Sequence, residues 1–140
     1  EFPSLLGMEP PRLLGYPIEA VIAEKYEAMI SLGIMNSRFK DFYDIVFLSG
    51  IYEIEGAKLQ QSLFNVLRQR GTNLSRTIYT SNFVDEKQKQ WQAFKNRIGS
   101  DSDLSFQDIM QRIKKFMLPV HEAIERGQKF SAYWNKASWI

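Results

Sequence analysis

Residues 17–33, PIEAVIAEKYEAMISLG, predict the first long helix and raise a question about its one lysine. A helix advances by about 100° per residue, which places the apolar residues on about a third of its surface. Lys25 falls inside this apolar arc, whereas Glu19, Glu24 and Glu27 fall outside it. Because an unpaired ammonium group is costly to bury, Lys25 requires a carboxylate partner, an anionic ligand or a path to solvent.

The remaining sequence predicts a mainly α fold, a bundle of about five to six helices whose ends are marked mostly by glycine and proline. Four prolines between residues 1 and 17 predict an extended lead-in, and residues 18–140 are predicted to form one helical domain. The predicted helices cover 18–33, 37–50, 55–70, 85–98 and 105–126. Pro119 lies inside the last of these and predicts either a kink or a new helix start.

The second predicted helix, 37–50 (SRFKDFYDIVFLSG), has apolar residues on two sides, which is typical of a helix between layers. A short turn joins it to the first helix, so the two should pack antiparallel, with Lys25 near the start of the second. The charged residues in that region are Arg38, Lys40, Asp41 and Asp44. Charges of both signs in one place indicate either a structural network or a functional site.

Several kinds of site are disfavoured. The chain has no cysteine, and His121 is its single histidine, so the sequence argues against zinc chemistry and predicts a core or surface role for His121. The segment 99–103, GSDSD, contains an Asp-x-Asp pair, but it lies in a predicted polar loop and no metal site is predicted. No apolar run approaches the roughly 20 residues of a membrane span, and the cysteine-free composition favours the cytoplasm.

Residues 15–45 resemble the AbiEii/AbiGii nucleotidyltransferase toxin family of type IV toxin–antitoxin and abortive-infection systems. The family pattern is Tyr-Pro-x-Glu-x-x-x-Ala-Glu-Lys, followed by a glycine turn and Ser-Arg-x-Lys-Asp-x-Tyr-Asp. The matching residues are Tyr16, Pro17, Glu19, Ala23, Glu24, Lys25, Gly33, Ser37, Arg38, Lys40, Asp41, Tyr43 and Asp44. A looser similarity extends over 1–17, Trp91-x-x-Phe94 and Phe116-x-x-Pro119.

The resemblance implies that Lys25 contacts the phosphates of a nucleoside triphosphate and that Asp41 sets the geometry of the same site. Supporting roles are implied for Glu19, Arg38, Lys40 and Asp44. The family's metal-binding motifs, a Gly-rich turn and an Asp-x-Asp pair that hold Mg²⁺, would precede residue 1. The resemblance therefore implies the C-terminal part of an enzyme, with 1–17 a remnant of its catalytic core and no transfer by this part alone.

In the absence of nucleotide, we expect Lys25 to pair with a carboxylate of its own chain, Asp41 first and Asp44 second. Two other functions stay open. Residues 51–100 carry eight Lys or Arg residues against four Asp or Glu, which favours RNA or tRNA as a partner. The predicted nucleic-acid contacts are Arg68, Arg70, Arg76, Lys87 and Lys95. A protein partner such as an antitoxin, or a second copy of the chain, is the alternative if Trp134 and Trp139 are exposed.

Overall fold

The computed structural model describes residues 17–32, 39–74, 79, 81–98 and 105–140. This part of the chain forms five helices and a small two-stranded sheet, which confirms the prediction of a mainly helical fold. The helices are α1 (Ile18–Leu32), α2 (Phe39–Ile51), α3 (Gly56–Arg70), α4 (Ser81–Ile98) and α5 (Phe106–Glu125), and the strands are β1 (Ile54–Glu55) and β2 (Tyr133–Trp134). The predicted lead-in lies outside the described residues, apart from Pro17.

The predicted helix ends agree with the structure where glycine or proline marks them. The carbonyl of Pro17 accepts the amide of Ala20 at 3.0 Å, so α1 begins directly after the proline. Gly71 ends α3 in the left-handed conformation, with φ of 65°, which glycine adopts without steric cost. The start of α4 is different, because this helix begins at Ser81, before the predicted Asp85. Its first turn, SNFV, has two apolar residues that are adjacent in sequence, so it gives no apolar periodicity to read.

A capping box begins α5. Ser105 Oγ accepts the amide of Asp108 at 3.0 Å, and Asp108 Oδ2 accepts the amide of Ser105 at 3.0 Å. The helix then continues through Pro119 to Glu125, so a new helix start at Pro119 is wrong. Proline removes one backbone hydrogen bond, but the helix is anchored on both sides of it by buried Phe116 and Val120.

Buried contacts surround α1, which lies against both α2 and α3. Glu19 and Glu27, which lie outside the apolar arc, are nevertheless buried, with only 8% and 2% of these residues exposed. The apolar periodicity of α1 identifies only one of its two buried faces. The other face carries polar residues and is buried against α3. The helix α5 closes the core against α2, α3 and α4.

The C-terminal segment packs against the helices, as predicted. Trp134 pairs with Ile54 in the antiparallel sheet, and its indole N–H donates to the carbonyl of Ser49 at 2.6 Å. Gly56 allows the segment to approach closely, since its amide donates to the carbonyl of Ala132 at 2.8 Å. Trp134 is buried, so it does not provide the exposed apolar surface expected of a protein-association site. None of the helices in the described ranges is both long and apolar enough to span a membrane.

Candidate functional site

The face of α1 that carries Lys25 meets the first turns of α2. Val21 and Ala28 lie one turn to either side of Lys25 and direct this face toward the core. The Lys25 ammonium lies 3.3 Å from Asp41 Oδ1 and 3.0 Å from Asp44 Oδ2. The Lys25 side chain is 16% exposed, compared with 6% for Asp41 and 0% for Asp44. The lysine on the apolar stripe is therefore held by carboxylates at the edge of the core.

Lys40 completes this cluster from the solvent side. Its ammonium lies 2.8 Å from Asp44 Oδ2, across one turn of α2, while its side chain is 54% exposed. Asp44 therefore accepts contacts from two ammonium groups through the same oxygen. Its other oxygen, Oδ1, is buried and has no hydrogen-bond donor among the described residues. The sequence predicted both carboxylate partners of Lys25, but Asp44 lies closer than Asp41, the reverse of the expected order.

The charges of the cluster balance, because Lys25 and Lys40 provide two positive charges and Asp41 and Asp44 two negative ones. Burial of such charges is tolerated only when they are paired. An ammonium group has three N–H donors. Lys25 donates one of them to Asp41 Oδ1 and forms an ion pair with Asp44 Oδ2, so at least one donor has no acceptor among the described residues.

Two other residues predicted for the site are placed differently. Glu19 is buried on α1 six residues before Lys25, about 9 Å along the helix axis. That separation is too long for Glu19 and Lys25 to act as one contact pair, and the structure does not bring Glu19 into the cluster. Arg38 lies outside the described residues. The structure therefore brings together Lys25, Lys40 and the two aspartates.

The cluster does not have the arrangement of a magnesium site. Mg²⁺ is held by oxygen ligands in near-octahedral geometry. Asp41 and Asp44 instead direct oxygens at the ammonium of Lys25, and a cation between them would meet that charge. Across the described residues no group of three or more potential metal-ligating side chains is found. The described residues thus fit an ion-pair cluster and not the Mg²⁺ expected for nucleotidyl transfer.

Comparison with known proteins agrees with the motif that contains Lys25 and Asp41. The family model described as nucleotidyl transferase AbiEii toxin, type IV toxin–antitoxin system, matches residues 1–112 of this 140-residue chain. The chain belongs to the AbiEii toxin family. Membership implies a nucleotide substrate and an antitoxin partner. A search of curated proteins and a search of solved structures each found no match.

The basic residues predicted to contact nucleic acid do not form one uniform surface in this AbiEii family member. Lys87 is only 4% exposed, with its ammonium 5.8 Å from the centroid of the Phe39 ring, so it is not available as a surface contact. Arg70 forms ion pairs with Glu24 at 2.6 Å and Glu27 at 3.5 Å. The guanidinium of Arg70 is therefore already paired with two carboxylates of the protein itself.

Three further basic positions complete this prediction. Arg68 is exposed, and its guanidinium lies 5.5 Å from the centroid of the Phe64 ring. Lys95 is half-buried on α4, and Arg76 lies outside the described residues. RNA or tRNA as the acceptor of the AbiEii family member stays a prediction from sequence.

A buried polar network was not predicted from the sequence. The Tyr26 hydroxyl lies 2.8 Å from His121 Nδ1 and 2.6 Å from the Tyr79 hydroxyl, and His121 Nε2 lies 3.2 Å from the carbonyl of Leu74. Because a carbonyl only accepts, His121 Nε2 donates to Leu74, and Nδ1 accepts from the Tyr26 hydroxyl. Tyr79 in turn donates to Tyr26. His121 is thus a core residue, one of the two roles expected for it.

Burial raises the pKa of both tyrosines in this network, and for Tyr26 the neighbouring Tyr79 raises the pKa further. Both phenols therefore stay protonated in the folded protein. The sequence signal for this network is weak: Tyr26 lies on the buried face of α1, but its partner His121 is 95 residues away. These polar groups meet only because α1 packs against α5 and against Tyr79.

Proposed function

We propose that Lys25 contacts a phosphate group of the nucleoside triphosphate used by this AbiEii family member, with Asp41 and Asp44 as positioning residues. One observation carries the proposal: the Lys25 ammonium lies between two buried carboxylates and has an N–H donor without an acceptor among the described residues. Two carboxylates fix the position of the ammonium more closely than one would, as a site for a transferring phosphate requires.

The carboxylates also explain how the lysine tolerates its place on an apolar face. Without nucleotide, Asp41 and Asp44 neutralise the ammonium and keep it in one orientation. When a phosphate arrives, the third N–H donates to it while the two existing contacts hold the side chain. Lys40, at the solvent side, contacts the same Asp44 oxygen and helps to hold this carboxylate in place.

The proposal assigns this part of the chain the phosphate-contacting side of the site and no metal chemistry. Mg²⁺ would neutralise phosphate charge in the transfer reaction. The described residues do not fit this ion, so we propose that its ligands lie outside them. We also propose that the 140-residue chain alone binds nucleotide without transferring it.

The test is nucleotide binding by isothermal titration calorimetry, using ATP and GTP with and without Mg²⁺. We expect Lys25→Ala to weaken binding by about tenfold, the loss of one charge-assisted hydrogen bond. Lys58→Ala is the matched control, since it removes an exposed ammonium that pairs with Glu55 outside the cluster, and it should change affinity by less than about twofold.

Folding is checked by circular dichroism on each variant, because Lys25→Ala also weakens the cluster. Lys25→Arg is a second variant that keeps a positive charge, and it should retain more affinity than Lys25→Ala. Equal nucleotide affinity of the folded parent and the folded Lys25→Ala variant would remove Lys25 from the nucleotide site.

A further inference from the structure

A second charged region lies where the end of α2, the middle of α5 and the C-terminal segment meet. These elements surround a pocket of about 280 Å³. Ser49 and Trp134 contribute to its wall, and the indole N–H of Trp134 donates to the carbonyl of Ser49. Arg112 and Lys115 approach from α5, and Lys136 approaches from the turn that follows β2. This pocket is separate from the Lys25 cluster, because its nearest lining residue on α2, Val46, lies about 200° around the helix from Asp44, on the opposite side of α2.

Three cations line this pocket and no acidic residue does. Lys115, Lys136 and Arg112 have no carboxylate within salt-bridge distance in the described part of the chain. Asp108 lies one turn before Arg112. Its pKa is lowered mainly by hydrogen bonds with Ser105, and the positive charge of Arg112 lowers it further. The carboxyl terminus of α2 supplies about half a negative charge, which balances only part of the three positive charges.

The backbone at Lys136 adds a second, independent observation. Lys136 has φ of 82°, a left-handed conformation that is unfavourable for a residue with a Cβ atom. Asn135 stabilises this turn, because its side-chain oxygen accepts the amides of Ala137 at 3.0 Å and Ser138 at 2.8 Å. Such strain persists where the surrounding structure enforces it and is frequent at binding sites. Here the turn brings the Lys136 residue to the wall of the pocket.

We propose that this pocket binds a phosphate group, independently of the nucleotide site proposed above. A phosphate is a compact anion whose oxygens accept from several cationic donors at once, which matches two cations on α5, Arg112 and Lys115, and a third, Lys136, on the C-terminal segment. The volume of about 280 Å³ accommodates phosphate or pyrophosphate. The phosphate belongs either to a small ligand or to a nucleic-acid backbone.

The experiment uses two probes, sodium pyrophosphate and a single-stranded RNA of twelve nucleotides, with binding followed by calorimetry at several salt concentrations. The test variant is Lys115→Gln/Lys136→Gln. The matched control is Lys114→Gln/Lys129→Gln, which removes the same charge from two exposed lysines that do not line the pocket. We expect the test variant to bind at least one probe about tenfold more weakly than the parent protein and the control to bind within about twofold.

The two probes distinguish the sources of the phosphate. If pyrophosphate affinity falls and RNA affinity does not, the ligand is a small phosphorylated molecule. If RNA affinity falls, the salt dependence of binding should also fall, by a slope of about 0.7 for each RNA phosphate that the variant no longer neutralises. Equal binding by the test and control variants for both probes would overturn the proposal, as would no binding of either probe to the parent protein.

Lys25→Ala separates this proposal from the previous one. Pyrophosphate affinity should be unchanged in Lys25→Ala if the two sites are distinct. Loss of pyrophosphate binding in Lys25→Ala, with normal binding by Lys115→Gln/Lys136→Gln, would place the phosphate at Lys25. That result overturns the second site while it supports the first.

Discussion

Replacement of Lys25 by methionine tests how much the buried ion pairs contribute to stability. Methionine keeps most of the volume and removes the charge, so the variant leaves the Asp41 and Asp44 carboxylates buried without the ammonium between them. Their side chains are 6% and 0% exposed, which makes solvation by water a poor substitute. Loss of one partner of a buried pair destabilises a protein by about 3–5 kcal/mol.

The expected loss is smaller here, because Lys40 still contacts Asp44 and Lys25 is itself partly accessible. We therefore expect Lys25→Met to lower the free energy of unfolding by about 2–3 kcal/mol. Lys40→Met is the control, since it removes an ammonium from the same Asp44 oxygen. At 54% exposure and i,i+4 spacing, its pair should contribute about 0.5 kcal/mol.

The assay is urea unfolding at pH 7, followed by tryptophan fluorescence. It compares the single variants Lys25→Met, Lys40→Met and Asp44→Asn with the double variant Lys25→Met/Asp44→Asn. Asp44→Asn removes the carboxylate that Lys25→Met leaves without its partner. The double variant should therefore be more stable, by at least about 1 kcal/mol, than the sum of the single losses predicts. Burial would not make Lys25 the principal partner of Asp44 if Lys25→Met and Lys40→Met lowered the free energy of unfolding equally. Additive losses in the Lys25/Asp44 double-mutant cycle would refute it as well.

Two further predictions concern the core and the C-terminal segment. Unfolded tyrosines release protons near pH 10, whereas folded Tyr26 and Tyr79 keep theirs because burial raises their pKa. The free energy of unfolding should thus fall above pH 10, by about 1.4 kcal/mol per pH unit for each tyrosine, and Tyr26→Phe should roughly halve that slope in urea unfolding. Gly56→Ala places a Cβ atom 2.5 Å from the carbonyl of Ala132, so we expect a loss of about 1–3 kcal/mol in thermal unfolding. A pH-independent stability above pH 10, or an unchanged melting temperature for Gly56→Ala, would contradict these expectations.

Local signals predicted most of the helical framework. Proline before α1, glycine after α3 and the capping box of α5 each act within one turn, so the sequence contains the whole cause. The contact of Lys25 with Asp41 and Asp44 was also predictable, since a short connection places the end of one helix beside the start of the next. These contacts depend on neighbours in the chain.

The remaining contacts depend on distant elements. Glu27 is buried because Thr72 donates to it at 2.6 Å and Arg70 lies 3.5 Å away, and both belong to another part of the chain. Periodicity on α1 alone placed Glu27 outside the apolar arc and gave no sign of its burial. The pocket near Lys136 needs three elements to meet at a left-handed turn, and this meeting leaves no pattern in the sequence. Tertiary packing, rather than propensity, decides such sites.

The helix α2 relates the two charged regions to each other. Its first turns carry Asp41 and Asp44, where negative charge is favourable at the positive end of the helix dipole. Its last turn ends at the pocket, where the cations of α5 and the C-terminal segment meet the negative end. Because the two regions lie on opposite sides of α2 and share no lining residue, changes at one should add to changes at the other without coupling. Independent responses to Lys25→Ala and Lys115→Gln/Lys136→Gln are therefore expected from the geometry of one helix, whichever phosphate ligand each region binds.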